Sequence, residues 1–192
     1  MGILSGLLGL FGGKSNAAPY ELAETYSGLR KMVFEATPSQ VGLKAGPSEV
    51  WAVLMETGYP DAVVTLLAIS DGTVSIYFSN GGGIIGLGQH PGPERAAKSF
   101  LALAGQFVSK SQSAKEHPLP VPSMTRFYLL TGSGTYFAEA KEQDLGEGRH
   151  QFAPLFHKGH ELITEIRLVE EQRRAEQSVP ADRRENAAPA ER

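Results

Sequence analysis

From Tyr20 onward the apolar positions follow a helical period, with Leu22, Tyr26, Leu29 and Val33 at spacings of four, three and four. That period predicts an amphipathic helix running to about Ala36, stopped before Pro38 because the residue ahead of a proline is pushed out of helical geometry. The period then changes. After a turn-rich stretch, 37–48, the runs VWAVLMET (Val50 to Thr57) and AVVTLLAIS (Ala62 to Ser70) are dense in β-formers. TVSIYFS (Thr73 to Ser79) alternates Val74, Ile76 and Phe78 against Ser75, Tyr77 and Ser79, the period of two that buries one strand face. Asp71-Gly72 between the last two runs is a hairpin signal. A second helix is predicted over Glu94 to Lys110, where Ala96, Phe100, Leu103 and Phe107 form a wide apolar stripe. TRFYLLTG and TYFAEAKE flank Ser133-Gly134 as a second hairpin. Leu162, Ile163, Ile166 and Val169 then predict a last helix from about Gly159, although ELITEIRLV also alternates tolerably as a strand.

These elements make the chain α+β: a mostly antiparallel five-stranded sheet with helices packed on it, in the order α-β-β-β-α-β-β-α. The chain divides into an apolar Gly-rich N-terminal arm (1–18), a single α+β domain (19–171) and a charged C-terminal tail (172–192), expected to be disordered for want of bulky apolar residues. From roughly Glu21 to Glu171 the element order resembles that of the type III secretion chaperone-like fold and its bacterial relatives. A roadblock or longin-like module, with two strands before the central helix and three after, is the nearest competitor. Members of both classes bind other proteins and often dimerise, so the resemblance implies a protein-binding module.

Composition narrows the chemistry. With 18 Lys and Arg against 21 Asp and Glu, the formal charge is −3, and no bulk positive field would gather a nucleic acid. The chain has no cysteine, which removes disulfides, thiolate nucleophiles and thiolate zinc sites. The first segment, MGILSGLLGLFGGKSN, is too short to span a bilayer and carries its only cation, Lys14, after the apolar run, the reverse of an export signal. Leu4, Leu7, Leu8 and Phe11 fall on one helical side. They suit a peripheral membrane or partner contact, or an arm that folds back on the domain. A cytoplasmic location, with membrane association through this arm, is the matching expectation.

The densest local signal is SNGGGIIGLGQH, between a strand and the second helix. Glycine-rich loops ahead of helices can offer backbone N–H groups to an anion, and Asn80, Gly82, Gly83 and Gln89 are the residues such a site would use. The loop lacks a P-loop ending and a G-x-G-x-x-G register, and Glu94 stands at the helix entrance, so the glycines read first as devices for bulges and close packing. Of five histidines, His157 and His160 have ligand spacing on a helix but gain no third ligand, so no metal and no cofactor is expected. Carboxylates such as Glu56 and Asp61 read as catalytic pairs no better than as solvated turn charges. Trp51, Tyr77 and Tyr128 share strand faces that form either an exposed recognition patch or a surface covered by the chain's own helices. The function expected is that of a non-enzymatic protein-interaction module, chaperone- or adaptor-like, for a protein partner, a second copy of the chain included. The alternative is a small-ligand or nucleotide-binding regulator built on loop 80–89.

Overall fold

The computed structural model describes residues 20–178. Its α+β architecture has a seven-stranded sheet in the order β4-β3-β2-β1-β6-β7-β5, with every neighbouring pair antiparallel. The strands are β1 (Val50–Gly58), β2 (Val63–Ile69), β3 (Val74–Phe78), β4 (Gly83–Ile85), β5 (Gln112–Ala114), β6 (Met124–Thr131) and β7 (Gly134–Lys141). The helices are α1 (Glu24–Glu35), α2 (Pro91–Gly105), the short α3 (Glu142–Gly146) and α4 (Ala153–Ser178).

The sheet therefore exceeds the five strands expected by two. Both extra strands, β4 and β5, are three residues long and form the outer edges. Three residues are too few to show a period, and β4 is drawn from the glycine run that reads as a loop. Short edges of this kind limit unwanted strand pairing with other chains. The core five strands keep the expected hairpins, including β2–β3 around Asp71-Gly72 and β6–β7 around Ser133.

Helix boundaries also move, and the short α3 was not expected. α2 opens at Pro91, since proline lacks only an N–H that the first turn leaves unbonded anyway. α4 begins at Ala153 instead of Gly159 and continues through Ser178, so residues 172–178 are helical where composition predicted a tail. Gly159 suggests a helix start but serves a packing role inside one: a Cβ there would lie 2.7 Å from Met55 Sδ on β1. Residues 1–19 and 179–192, which hold the arm residues Leu4, Leu7, Leu8 and Phe11 and the rest of the tail, lie outside the described residues. No helix among the described residues is long and apolar enough to cross a membrane.

The two sheet faces differ in chemistry. On one, Val53, Met55, Leu66, Phe127 and Leu129 pack under α2 and α4 through Phe100, Leu155, Leu162 and Ile166, an almost wholly aliphatic and phenyl core. Each fully buried Leu or Phe there contributes about 1.5–3 kcal/mol. The other face carries Trp51, Leu54, Leu67, Tyr77, Tyr128 and Leu130, covered by α1 through Tyr26. A register shift between Val50 and Ala52 in the β1–β6 pairing lets both Trp51 and Ala52 join this second cluster.

Candidate functional site

The α1-covered face holds a polar row that runs straight across the sheet. Pairing places Gly83 opposite Tyr77, Tyr77 opposite Thr65, Thr65 opposite Glu56, Glu56 opposite Arg126, and Arg126 opposite Glu139, six strands in succession. Side chains directly opposite across an antiparallel pair sit about 4.5–5.5 Å apart, so these groups become neighbours although 70 residues separate Glu56 from Arg126 in the chain.

α1 lies obliquely over that row. Four residues of helix advance ~6 Å, slightly more than the ~4.8 Å between strands, so every fourth residue meets the next strand. Tyr26 reaches Thr65 on β2 at 3.0 Å. Arg30 donates twice to Glu56 on β1, from Nε to Oε1 at 2.7 Å and from Nη2 to Oε2 at 2.9 Å. Phe34 meets Tyr128 on β6 edge to face, with ring centroids 5.0 Å apart. The Arg30 guanidinium also lies 4.7 Å from the Phe34 ring centroid and 5.7 Å from that of Tyr128.

Hydrogen-bond direction follows from proton count. Thr65 donates its one hydroxyl proton to Glu56 Oε1 at 3.3 Å, so Tyr26 must be the donor to Thr65. The chain Tyr26 to Thr65 to Glu56, with Arg30 closing the far side, engages both oxygens of a carboxylate that has no solvent exposure. For Arg30, burial works against the charged form, yet the hydrogen bond and charge of Glu56 outweigh it and hold the guanidinium firmly protonated. Burial first, and the Glu56 charge second, push the Tyr26 and Tyr77 hydroxyls well above the ordinary range. Burial likewise raises Tyr128, partly offset by its hydrogen bond with Arg126.

A segment between β5 and β6 borders the same site. Pro118 O accepts from the Tyr128 hydroxyl at 2.6 Å and from Arg126 at 2.7 Å, while Pro120 O accepts from Tyr20 at 3.0 Å. His117 stacks on Phe34 at a centroid distance of 3.9 Å, and burial followed by the nearby Arg30 charge lowers its pKa. The Nε2 of His117 and the hydroxyl of Tyr77 are buried without a hydrogen-bond partner. A groove of about 430 Å³ lies beside α1, with Leu22, Tyr26, Arg30 and Phe34 on the helix side and His117 and Leu119 opposite.

Sequence reasoning singled out some of these residues and misjudged others. Trp51, Tyr77 and Tyr128 do share one face, but the recognition patch they would form is covered: they are 3%, 3% and 0% exposed, since α1 supplies the roof. Glu56 is no turn charge; it is fully buried in mid-sheet, whereas Asp61 is exposed. The sign was present in VWAVLMET, where Glu56 alternates with Leu54 in a strand buried on both faces and so requires a cationic partner. Nothing in spacing alone pointed to Arg30 as that partner or to His117.

The glycines of the loop set backbone shape, and Gly81, Gly82 and Gly83 also line a cavity of about 200 Å³ beside Tyr26 and Tyr77. Asn80 to Gly83 turn β3 into β4 with Gly81, Gly82 and Gly83 all at positive φ. A Cβ on Gly83 would stand 2.6 Å from Ile76 O and 2.7 Å from Tyr77 Cα. Gln89 sits apart from that turn, in a single 3₁₀ turn ahead of α2. Pro91 and Pro93 remove two N–H donors from the first turn of α2, and Glu94 there binds Lys98, so this helix end is poorly equipped for an anion. Compared with known proteins, the chain matches no family model, no curated protein and no solved structure.

Proposed function

We propose that this chain is a non-enzymatic protein-interaction module, adaptor- or chaperone-like, that holds a protein partner along the α1 side of its sheet. The observation that carries the reading is the division of labour on that side. The buried Glu56 carboxylate is satisfied within the chain by Arg30 and Thr65, while apolar surface stays open along the helix. Leu22 is 44% exposed at the groove and Met32 65% exposed on the outer face of α1. Since α1 covers the sheet face, recognition falls to the helix surface and its groove. A groove of this size with an apolar lining and a charged rim suits a few anchoring side chains of a peptide segment.

The test is affinity capture from cells of the native host with the full chain and with a Leu22→Glu, Met32→Glu variant. Both side chains are exposed, so the variant is expected to keep its stability within about 0.5 kcal/mol and to lose the captured partner. Identical captured proteins for the two chains would overturn the reading. So would stabilisation of the chain by a nucleotide that disappears in an Asn80→Ala variant, which would place recognition at loop 80–89 instead.

A further inference from the structure

We infer that the groove beside α1 has an occupant within the same chain: the apolar segment Ile3 to Phe11 of the N-terminal arm docks along it, between α1 and residues 117–119. This goes beyond the partner reading, because the occupant needs no second molecule. Three observations lead there. First, the chain enters the described structure at one end of the groove. Tyr20 is 8% exposed and tethered through its hydroxyl to Pro120 O, and Leu22 is already a groove wall. Residues before Tyr20 thus start beside the site at very high local concentration, where docking is an intramolecular step.

Second, the lengths match. The groove follows α1 from Leu22 to Phe34 and Glu35, thirteen or fourteen residues, or ~20 Å of helical length. The nine residues Ile3 to Phe11 span ~13.5 Å as a helix. The eight residues from Gly12 to Pro19 can cover up to ~26 Å, enough to reverse direction and lay the segment back over α1. Third, the chemistry fits. Ile3 to Phe11 contains no charged side chain and, wound as a helix, would place Leu4, Leu7, Leu8 and Phe11 on one side. The groove offers Leu22, Phe34 and Leu119 as apolar lining, and its rim charges, Lys31 and Glu35, already face each other at 3.8 Å. An uncharged segment can cover such a rim without burying an unpaired ion.

The test uses the full chain throughout. Amide exchange is compared between the wild type and a Leu7→Asp, Phe11→Asp variant. Residues 24–35 and 116–120 are expected to exchange about threefold faster in the variant, the factor produced when the segment is seated about two-thirds of the time, with α4 unchanged. Because the chain lacks cysteine, proximity is read independently by mild oxidation of a Leu8→Cys, Ser27→Cys pair against a Leu8→Cys, Ser99→Cys control on α2. The first pair is expected to close within one molecule at least about tenfold faster, by its higher effective concentration. Equal closure rates with unchanged exchange would overturn the inference. So would a disulfide that joins the first pair of introduced thiols between two molecules, which makes a second copy the occupant. Insertion of the segment into phosphatidylcholine vesicles with no change in α1 exchange would assign it to membranes instead and equally overturn the inference. Partner capture by the Leu7→Asp, Phe11→Asp variant is scored separately, so failure of the intramolecular contact leaves the partner reading to its own test.

Discussion

Glu56 and Arg30 form an ion pair where there is almost no solvent, the side chains being 0% and 14% exposed. Desolvating both groups is expensive, and a bidentate pair with Thr65 as an added donor roughly offsets that expense without adding much net stability. What the pair does supply is position, since only one placement of α1 brings Arg30 over β1 while Tyr26 meets β2 and Phe34 meets β6. The two single changes should therefore be severe and the double change mild. Arg30→Met leaves a buried carboxylate and Glu56→Leu a buried guanidinium, each expected to lower stability by about 3–5 kcal/mol. The Arg30→Met, Glu56→Leu chain, which replaces the pair by apolar groups, is expected to lose far less than the sum. Urea unfolding of the three variants measures this coupling; additive losses would mean that the pair does not act as a unit.

The helices divide by how they hold the sheet. α2 buries Ala97, Phe100, Leu101 and Ala104 and packs beside α4, whereas α1 fully buries Tyr26 alone. Local opening follows local burial, so native-state amide exchange is expected to find α1 opening at a lower free energy than α4, ahead of global unfolding. Exchange of α1 and α4 through one common opening would contradict it. The same contrast explains what was legible beforehand. Helices and strands whose apolar stripe faces a continuous core, such as Phe100 in α2 or Val74 and Ile76 in β3, declare themselves by period. α1 declared its helix through Leu22, Tyr26, Leu29 and Val33, but its docking depends on Arg30, which a hydrophobic pattern discards as polar. β4 and β5 were illegible because three residues carry no period, and Gly159 misled because its missing side chain reflects contact with Met55, a tertiary fact. The candidate site was thus only half visible: the tyrosines stood out on their strands, while their roof and the ionic pair beneath it required the strand register.

At the scale of the whole molecule, the sheet separates a face lined by titrating tyrosines from one beside which burial lowers the pKa of His160, on α4 against Phe156. Under α2 and α4 the side chains packed on the sheet are mostly apolar, with the paired hydroxyls of Thr57 and Thr125 among them, but under α1 three tyrosines and a histidine sit beside the Arg30–Glu56 pair. Tyr26, Tyr77 and Tyr128 are all raised above the ordinary value near 10, so above that pH the unfolded chain sheds phenolic protons that the folded chain still holds. Their contribution is complete below about pH 10 and is lost as pH climbs through the raised folded values, at up to ~1.4 kcal/mol per pH unit for each group. His117 works in the opposite sense. Its folded value lies below the ordinary 6.5, as does that of His160, so the contribution of each is complete above about pH 6.5 and is lost as pH falls through the folded value. Stability against pH should accordingly show a plateau between about 6.5 and 10 with a steep alkaline edge. Tyr77→Phe separates this cause from general alkaline denaturation. It removes one titrating group and a hydroxyl buried without a partner, so stability at pH 7 should hold or rise while the alkaline edge becomes shallower. Tyr26→Phe should also soften the edge, but at pH 7 it should lose about 1 kcal/mol with the hydrogen bond to Thr65. Thermal melts of the three chains from pH 5 to 11 measure both ends, and an alkaline edge equally steep in all three would remove the tyrosines beneath α1 as its origin.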